Sequence, residues 1–233
     1  MQILGDQIDT HWYYRAKSAA LLRTLRGYPI GEIVDVGAGS GFFSRFLLAR
    51  TGSTGAVCVD PAYAEESDGL CCGKPILYRR AIEKNNANLV LLMDVLEHVD
   101  DERELLHHYI DAVPSRTRFV VTVPAFQFLW SSHDEFLEHR RRYTIRQLIA
   151  VLERCGLALE WSHYYYAFVF PIAAAARMLD SIMRPPQTEP RSQLRQESWL
   201  VNNALAALSA VERPIMRANR MFGLSVFGVF RKP

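Results

Sequence analysis

The chain has 233 residues and is 49% hydrophobic, which is enough for a single domain with a sizeable core. Its net charge of +2 gives no global basic field, so we expect no nucleic-acid partner. The four cysteines form no CxxC pair and the N-terminus lacks a signal-peptide pattern, so we expect free thiols in a reducing cytoplasm. The longest apolar run, residues 164–176, is too short to span a bilayer.

Residues 10–26 have the apolar spacing of an amphipathic helix, with Thr10 as its expected N-cap. The glycines and the proline at positions 27–31 end this pattern. We predict an N-terminal helical cap over residues 1–30. Arg15 on this helix either reaches a bound ligand or is solvated on the outer face of a helix that packs against a sheet.

Residues 32–48 have the pattern of a strand, a glycine turn and a helix, with glycines at positions 37, 39 and 41. Such a turn lets the backbone approach a ligand, and the helix N-terminus offers free N–H groups. The GxGxG spacing differs from the dinucleotide fingerprint GxGxxG, and no GK[ST] ending of a phosphate loop follows. Asp35, near the end of the strand, would repel a pyrophosphate and suits a cationic amino-acid ligand instead.

The second predicted strand, at 56–60, ends at an acidic residue. Asp60 lies about twenty residues beyond the glycine turn, where a carboxylate can accept both ribose hydroxyls. The further predicted elements are strands at 75–79, 88–93 and 118–123, a loop at 62–73 and a helix at 101–113. This alternation specifies a doubly wound, mostly parallel α/β sheet. Because ligands bind at the carboxyl ends of such strands, we expect Asp35, Asp60 and Asp94 to converge on one crevice.

Three motifs carry a resemblance to a known family. Asp35-Val-Gly-Ala-Gly-Ser-Gly resembles the first motif of class I S-adenosylmethionine-dependent methyltransferases, and Asp60 matches their second. Met93-Asp-Val-Leu-Glu-His-Val resembles the fourth motif of the small-molecule branch, which includes the ubiquinone-type O-methyltransferases. The resemblance implies a seven-stranded, Rossmann-like sheet and S-adenosyl-L-methionine as the cofactor. The residues that it places at the cofactor are Arg15, Asp35, Gly37, Ala38, Gly39, Asp60, Pro61, Met93 and Asp94.

Some of these relatives hold a divalent ion through positions that match Asp94, Glu97 and His98. A helical turn permits this, since side chains at i, i+3 and i+4 share one face. The alternative is that Glu97 and His98 cap and orient the following helix, and we predict no metal site.

The segment after the fifth strand is rich in polar and aromatic residues and would overhang the acceptor side of the pocket. Its spacing Trp130-Ser-x-His-Asp-x-x-x-x-His-x-Arg-Arg-Tyr resembles one group of bacterial class I methyltransferases, whose gene settings suggest glycan or lipid-linked sugar pathways. We predict His133 and His139 as catalytic proton acceptors. Trp130, Arg141 and Tyr143 are predicted to bind the acceptor, since arginine suits a phosphate or carboxylate. The alternative is a structural network of His–Asp and Arg–Glu pairs that pins the loop.

The last two predicted strands, at 157–166 and 224–231, are separated by far more than the short hairpin that is usual in the family. Thr144 is expected to cap the preceding helix at 145–155. The intervening residues 167–221 are predicted to contain a helix at 168–183, a proline-rich linker at 184–191 and a helix at 199–221 with a break at Pro214. This helical insertion is interpreted as a lid over a hydrophobic acceptor, a membrane-surface anchor or a dimer interface.

The sequence thus predicts a single methyltransferase domain over residues 1–233. It would use S-adenosylmethionine to methylate a small or lipid-linked metabolite, with oxygen as the preferred acceptor atom. The alternatives are methylation of nitrogen or of a carboxylate, and a non-catalytic scaffold relative that keeps the fold. The expected location is the cytoplasm, with peripheral contact at the inner face of the membrane through 167–221, or a homodimer, as further options.

Overall fold

The computed structural model describes residues 8–183 and 198–233, and its centre is one eight-stranded sheet. In chain order the strands are β1 (Glu32–Val36), β2 (Gly55–Val59), β3 (Ser67–Cys71), β4 (Lys74–Arg79), β5 (Leu89–Met93), β6 (Arg118–Pro124), β7 (Ala158–Tyr165) and β8 (Ser225–Arg231). Across the sheet their order is β3-β4-β2-β1-β5-β6-β8-β7. The central pairs are parallel, whereas β3 pairs antiparallel with β4, and β8 pairs antiparallel with both of its neighbours. The predicted Rossmann-like, mostly parallel α/β sheet is therefore confirmed.

The prediction of seven strands was wrong by one. The segment 62–73, expected to be a loop, contains β3, which forms a tight hairpin with β4 through Cys72 and Gly73. Both turn residues have positive φ, 53° and 76°, as a two-residue hairpin requires. The strand is almost entirely exposed at the edge of the sheet, so it carries none of the apolar alternation by which strands are recognised.

Seven α-helices surround the described part of the sheet. They are α1 (Trp12–Thr24), α2 (Phe42–Arg50), α3 (Glu102–Ala112), α4 (Ser132–Phe136), α5 (Ile145–Arg154), α6 (Phe170–Met183) and α7 (Trp199–Glu212). Thr144 caps α5 in a capping box with Gln147, as predicted. The N-cap of α1 is His11 rather than Thr10, because the ring Nδ1 of His11 accepts the N–H of Tyr13 at 3.3 Å.

The insertion between β7 and β8 contains α6 and α7. The second of these was expected to run to residue 221 with a kink or break at Pro214, and it ends at Glu212, two residues before that proline. Proline has no N–H and its ring clashes with the preceding turn, so the chain continues as a short 3-10 helix, Met216–Ala218. The predicted linker at 184–191 and the first seven residues lie outside the described part of the chain.

Both faces of the sheet are covered, which explains the continuous apolar runs of its central strands. Alternate residues of β1, β2 and β5 pack with α3 and α5 on one face and with α1 and α2 on the other. A third cluster joins α1 and α7 to Tyr165, Tyr166 and Phe227. The glycine loop, Asp60 and Asp94 follow the carboxyl ends of β1, β2 and β5. No helix among the described residues reaches the length and apolar character that crossing a bilayer requires.

Candidate active site

The conformation of the glycine loop after β1 is set by its own backbone angles and by contacts with Val59 and Val95. Gly37 and Gly39 have φ of 63° and 51°, in the left-handed region that favours glycine. The N–H groups of Gly37 and Ala38 donate to the carbonyl oxygen of Val59 at 2.8 and 3.2 Å, which fastens the loop to the end of β2. A Cβ at Gly37 would lie 2.9 Å from the side chain of Val95, whereas a Cβ at Gly39 would enter open space. The loop is thus packed on one side and bare on the other.

Asp60 lies directly beside the bare side of this loop. One carboxylate oxygen accepts the N–H of Gly39 at 3.0 Å, and the other accepts the N–H of Ala62 at 2.9 Å. Tyr63 completes the contact, because its hydroxyl donates to the carbonyl oxygen of Gly39 at 2.7 Å. Each carboxylate oxygen can accept a second hydrogen bond. Asp60 is half-buried and Pro61 next to it is exposed, so a ligand in the crevice can still reach the carboxylate.

Asp35 is placed differently from the other acidic residues. It is 1% exposed and accepts a hydrogen bond from the hydroxyl of Ser44 on α2 at 2.8 Å. Burial raises the pKa of Asp35 to about 7, against a smaller lowering by Ser44. In this structure the side chain connects β1 to α2 inside the protein, below the surface of the crevice.

Asp94, which follows β5, forms an ion pair with Lys17 of α1. The same carboxylate accepts hydrogen bonds from the hydroxyls of Tyr13 and Thr122, both at 3.0 Å. Burial alone would raise the pKa of Asp94, but Lys17 and the two hydroxyls together hold it below its ordinary value. Met93 precedes it as a largely buried residue. Asp94 is therefore a carboxylate at the crevice whose charge is already matched by a lysine.

Lys17 was not identified from the sequence. Lys17 was not among the apolar residues predicted to face the core from this helix, whereas its side chain is 0% exposed. The available signal was its position one helical turn before Ala20 and Leu21, which puts it on the same buried face. A lysine on a buried face needs an acidic partner, and Asp94 is that partner.

Arg15 is not part of this crevice in the structure. It is exposed and its guanidinium lies 3.5 Å from the side-chain oxygen of Asn203 on α7. It lines a wide groove of about 1360 Å³ between α1, α2 and α7. The arginines along this groove are Arg15, Arg23, Arg26, Arg45, Arg50 and Arg213. The described lining of this groove includes neither the glycine loop nor Asp60, although it includes Phe42, the first residue of α2.

The segment after β6 is organised by Asp134, which is 0% exposed. Its carboxylate accepts two hydrogen bonds from Arg142, at 2.7 and 2.9 Å, and lies 2.9 Å from Nδ1 of His139. It also accepts the backbone N–H of Ser131 at 2.9 Å, which closes the capping box of α4. Burial opposes its ionisation, but His139 and Arg142 hold the pKa of Asp134 well below its usual range. The structural network that was the alternative interpretation of this segment is therefore present.

His133 lies in the same segment and is largely buried. Burial, followed by the positive charge of Arg177 from α6, lowers the pKa of His133 to about 4. The ring is therefore neutral at neutral pH. Arg177 reaches this region by donating to the carbonyl oxygen of Leu129 at 3.1 Å, so α6 contacts the segment after β6.

The structure binds Arg141 and Tyr143 to other parts of the protein. Arg141 forms an ion pair with Glu102 at 2.7 Å and donates to the carbonyl oxygens of Val99 and Asp100, both at 3.1 Å. Tyr143 is 3% exposed, and its hydroxyl donates to Glu102 at 2.9 Å. Trp130, at the end of the 3-10 helix Gln127–Leu129, is half-buried. Arg141 and Tyr143 thus fasten the segment to α3.

Comparisons with known proteins agree with this architecture. The sequence matches the family model described as a methyltransferase domain, Methyltransf_23, over residues 10–161. A search of curated proteins gives no match. Among solved structures, an S-adenosylmethionine-dependent methyltransferase from Mesorhizobium loti is 15% identical, with a TM-score of 0.56 over 97% of this chain and 100% of that one.

Two further structures show how widely the fold is used. Phosphoethanolamine N-methyltransferase 2 from Haemonchus contortus, in complex with S-adenosyl-L-methionine, is 15% identical with a TM-score of 0.55. The alignment covers 92% of this chain, which spans only 52% of that enzyme. The cyclase SpnF is 11% identical, with a TM-score of 0.57 over 94% of this chain and 80% of that one. At such identities these structures show a shared fold and no shared reaction.

The family match covers more than half of the chain and includes the glycine loop, Asp60 and Asp94. We conclude that the chain belongs to the class I S-adenosylmethionine-dependent methyltransferases.

Proposed function

We propose that the crevice at the carboxyl ends of β1, β2 and β5 binds S-adenosylmethionine through the glycine loop and Asp60. The observation that carries this proposal is the pair formed by Asp60 and the N–H of Gly39, 3.0 Å apart. It places a carboxylate, which can accept ribose hydroxyls, beside a loop whose bare side has room for a ligand. Met93 and Asp94 would form the edge of the site. When bound, the cofactor supplies a methyl group on a positively charged sulfur.

We propose oxygen as the methylated atom, because the acceptor side offers a neutral imidazole. As the acceptor oxygen bonds to the methyl carbon, the sulfur–carbon bond breaks, and the hydroxyl proton passes to His133. Positioning of the acceptor does most of the remaining work in such a displacement. His139 is the second candidate for this role, because the contact of its Nδ1 with Asp134 leaves Nε2 for a bound molecule. The H. contortus relative is named for transfer to nitrogen, so kinship does not support oxygen and the argument depends on His133.

We further propose that the acceptor is lipid-linked and that the protein meets a membrane surface through α6 and α7. Large apolar side chains are exposed on these helices and on the chain that follows them: Ile172, Leu179, Trp199, Leu200, Val211, Ile215 and Met221. The arginine-lined groove lies beside α7 and would attract anionic head groups. An exposed apolar patch with a basic neighbour is typical of a peripheral membrane contact.

The cofactor site is tested by replacing Asp60 with alanine and titrating the purified protein with S-adenosylhomocysteine in a calorimeter. Loss of hydrogen bonds to a charged acceptor should cost about 1.5–3 kcal/mol, or about 10- to 100-fold in affinity. Asp111→Ala, which removes an exposed carboxylate from α3, is the matched control and should bind as the wild type does. Equal affinity in all three proteins would remove Asp60 from the site, and no binding to the wild type would favour the scaffold alternative.

A further inference from the structure

We propose that Glu97, His98 and His139 form a binding site for one divalent transition-metal ion. One potential ligand atom from each of these residues lies within 4.8 Å of those of the other two. The set differs from the one that the family resemblance suggested, because Asp94 is paired with Lys17 and a histidine from the segment after β6 stands in its place. The three groups come from two separate stretches of chain, so the sequence spacing does not reveal them.

Glu97 is the second, independent observation. It is 0% exposed, and neither of its carboxylate oxygens has a hydrogen-bond partner among the described residues. A buried polar group without a partner is costly, and a buried carboxylate especially so. A bound cation would supply the missing partner of this carboxylate.

His139 is oriented as metal-binding histidines commonly are. Its Nδ1 lies 2.9 Å from the carboxylate of Asp134, which Arg142 holds in turn. This contact fixes the ring and leaves Nε2 for a ligand bond, the arrangement in which a carboxylate supports a coordinating imidazole. The ring centroids of His139 and His98 are 4.7 Å apart, so both imidazoles are close to one point.

The two stretches of chain are held together by hydrogen bonds that do not involve the proposed ligand atoms. The N–H of Arg140 donates to the carbonyl oxygen of Glu97 at 2.7 Å, and its guanidinium donates to that of His98 at 3.1 Å. Arg141 adds its contacts to Val99 and Asp100. The cluster is thus built into the fold before any ion arrives, which lowers the cost of binding one.

Two imidazoles and one carboxylate select for zinc and similar first-row ions rather than for magnesium or calcium, which prefer oxygen ligands. Three protein ligands leave a coordination position open, and the exposed side of His98 makes that position accessible. The site is adjacent to Asp94 and to the segment that carries His133. If the proposed function holds, the open position would take an oxygen atom of the acceptor and lower the pKa of its hydroxyl.

The test uses the full chain, stripped with a chelator and titrated with Zn²⁺ alone, without cofactor or acceptor. We expect one ion to bind per chain, with at least 10-fold weaker binding in Glu97→Gln, His98→Ala and His139→Ala. His108→Ala, an exposed histidine of α3, is the matched control and should leave affinity unchanged. A titration with Co²⁺ should give visible absorption bands in the wild type and lose them in the variants.

His98→Ala protects this test against a failure to fold, because His98 is the exposed member of the set. Zn²⁺ should raise the melting temperature of the wild type and of His108→Ala, but not of His98→Ala. The proposal is overturned if the wild type binds no Zn²⁺, or if His98→Ala and Glu97→Gln bind it as tightly. Because no cofactor is present, this outcome would leave the Asp60 result untouched, and a negative Asp60 result would leave the metal site standing.

Discussion

His133 and His163 are both buried imidazoles, and they differ in what surrounds them. His163 is stacked between Trp161 and Phe227, with ring centroids 5.4 and 5.3 Å away and interplanar angles of 10°. Its Nδ1 lies 2.9 Å from the carbonyl oxygen of Tyr164, and its Nε2 has no partner among the described residues. His133 lies among polar groups on the acceptor side. The first residue is part of the packing of β7, whereas the second is in a position to take part in chemistry.

Replacing His133 with alanine should lower kcat for methyl transfer about 100-fold if it accepts the hydroxyl proton. Because its pKa is lowered to about 4, the wild-type rate should hold from pH 8 to about pH 5 and fall only as pH 4 is approached. His133→Gln keeps a polar side chain of similar length and should show the same loss with a normal melting temperature. A rate within a few-fold of the wild type in either variant would exclude this role.

His163→Phe should make the protein less sensitive to acid. Burial, opposed by its bond to Tyr164, lowers the pKa of His163 to about 4 from an ordinary value of 6.5. The unfolded chain therefore binds a proton between these values that the folded chain does not, so this histidine removes stability as pH falls from 6.5 to 4. The loss is at most about 3 kcal/mol. The free energy of unfolding, measured with denaturant at several pH values, should fall less steeply with decreasing pH for His163→Phe than for the wild type. For His107→Gln, an exposed control, it should fall as steeply as in the wild type.

At the scale of single residues, the sequence predicted features that depend on neighbouring residues in the chain. It missed features that depend on a partner remote in sequence. Gly37, Gly39 and Asp60 could be predicted because the turn geometry and the end of a strand are local properties. Lys17 could not be predicted, since its burial depends on Asp94, which is remote in sequence. The position of Asp35 in the motif predicted contact with a ligand, whereas the contact of its side chain with Ser44 could not be predicted from the motif.

Among the elements, the central strands and the helices that cover them could be predicted because apolar periodicity reports burial. The edge strand β3 could not, since an exposed edge strand needs no apolar residues. The end of α7 at Glu212 follows from Pro214, whose effect on a helix is known without any structure. Which of two roles the segment after β6 plays could not be decided from its residues. Histidine, aspartate and arginine serve equally in a catalytic site and in the Asp134 network.

The helical insertion was predicted from the sequence, but its role depends on which faces of its helices are buried and which are exposed. The sequence alone does not show this. The structure shows α6 contacting the segment after β6 through Arg177 and α7 packing along α1. The ring of Phe170 on α6 lies 5.8 Å from that of Phe126 and 5.4 Å from that of Phe222. These contacts support a lid at one end of the insertion, while the exposed side chains of α7 support a contact with an external surface.

For the molecule as a whole, we expect association with anionic lipid vesicles in a sedimentation assay. Leu200→Glu should weaken association at least 10-fold, because Leu200 is 71% exposed on α7 and its insertion into a bilayer would be lost. Leu70→Glu is the matched control, since Leu70 is 76% exposed but lies on the edge strand β3. Association should also fall with salt, as attraction to the arginine-lined groove is screened.

Zwitterionic vesicles should bind more weakly than anionic ones. If neither kind binds and Leu200→Glu converts a dimer to a monomer in analytical ultracentrifugation, the same face joins two copies of the chain and the membrane proposal is wrong.

Asn202 of α7 makes two hydrogen bonds to the backbone at the start of α1. The side-chain oxygen of Asn202 accepts the N–H of Trp12 at 2.7 Å, and its amide nitrogen donates to the carbonyl oxygen of Thr10 at 3.0 Å. One turn further along, α1 supplies Lys17 to Asp94 at the rim of the crevice. A force that lifts the outer helix must therefore break both of these bonds or pull the lysine with it. Whatever α7 touches outside the protein is in this way mechanically connected to the ion pair of Lys17 with Asp94.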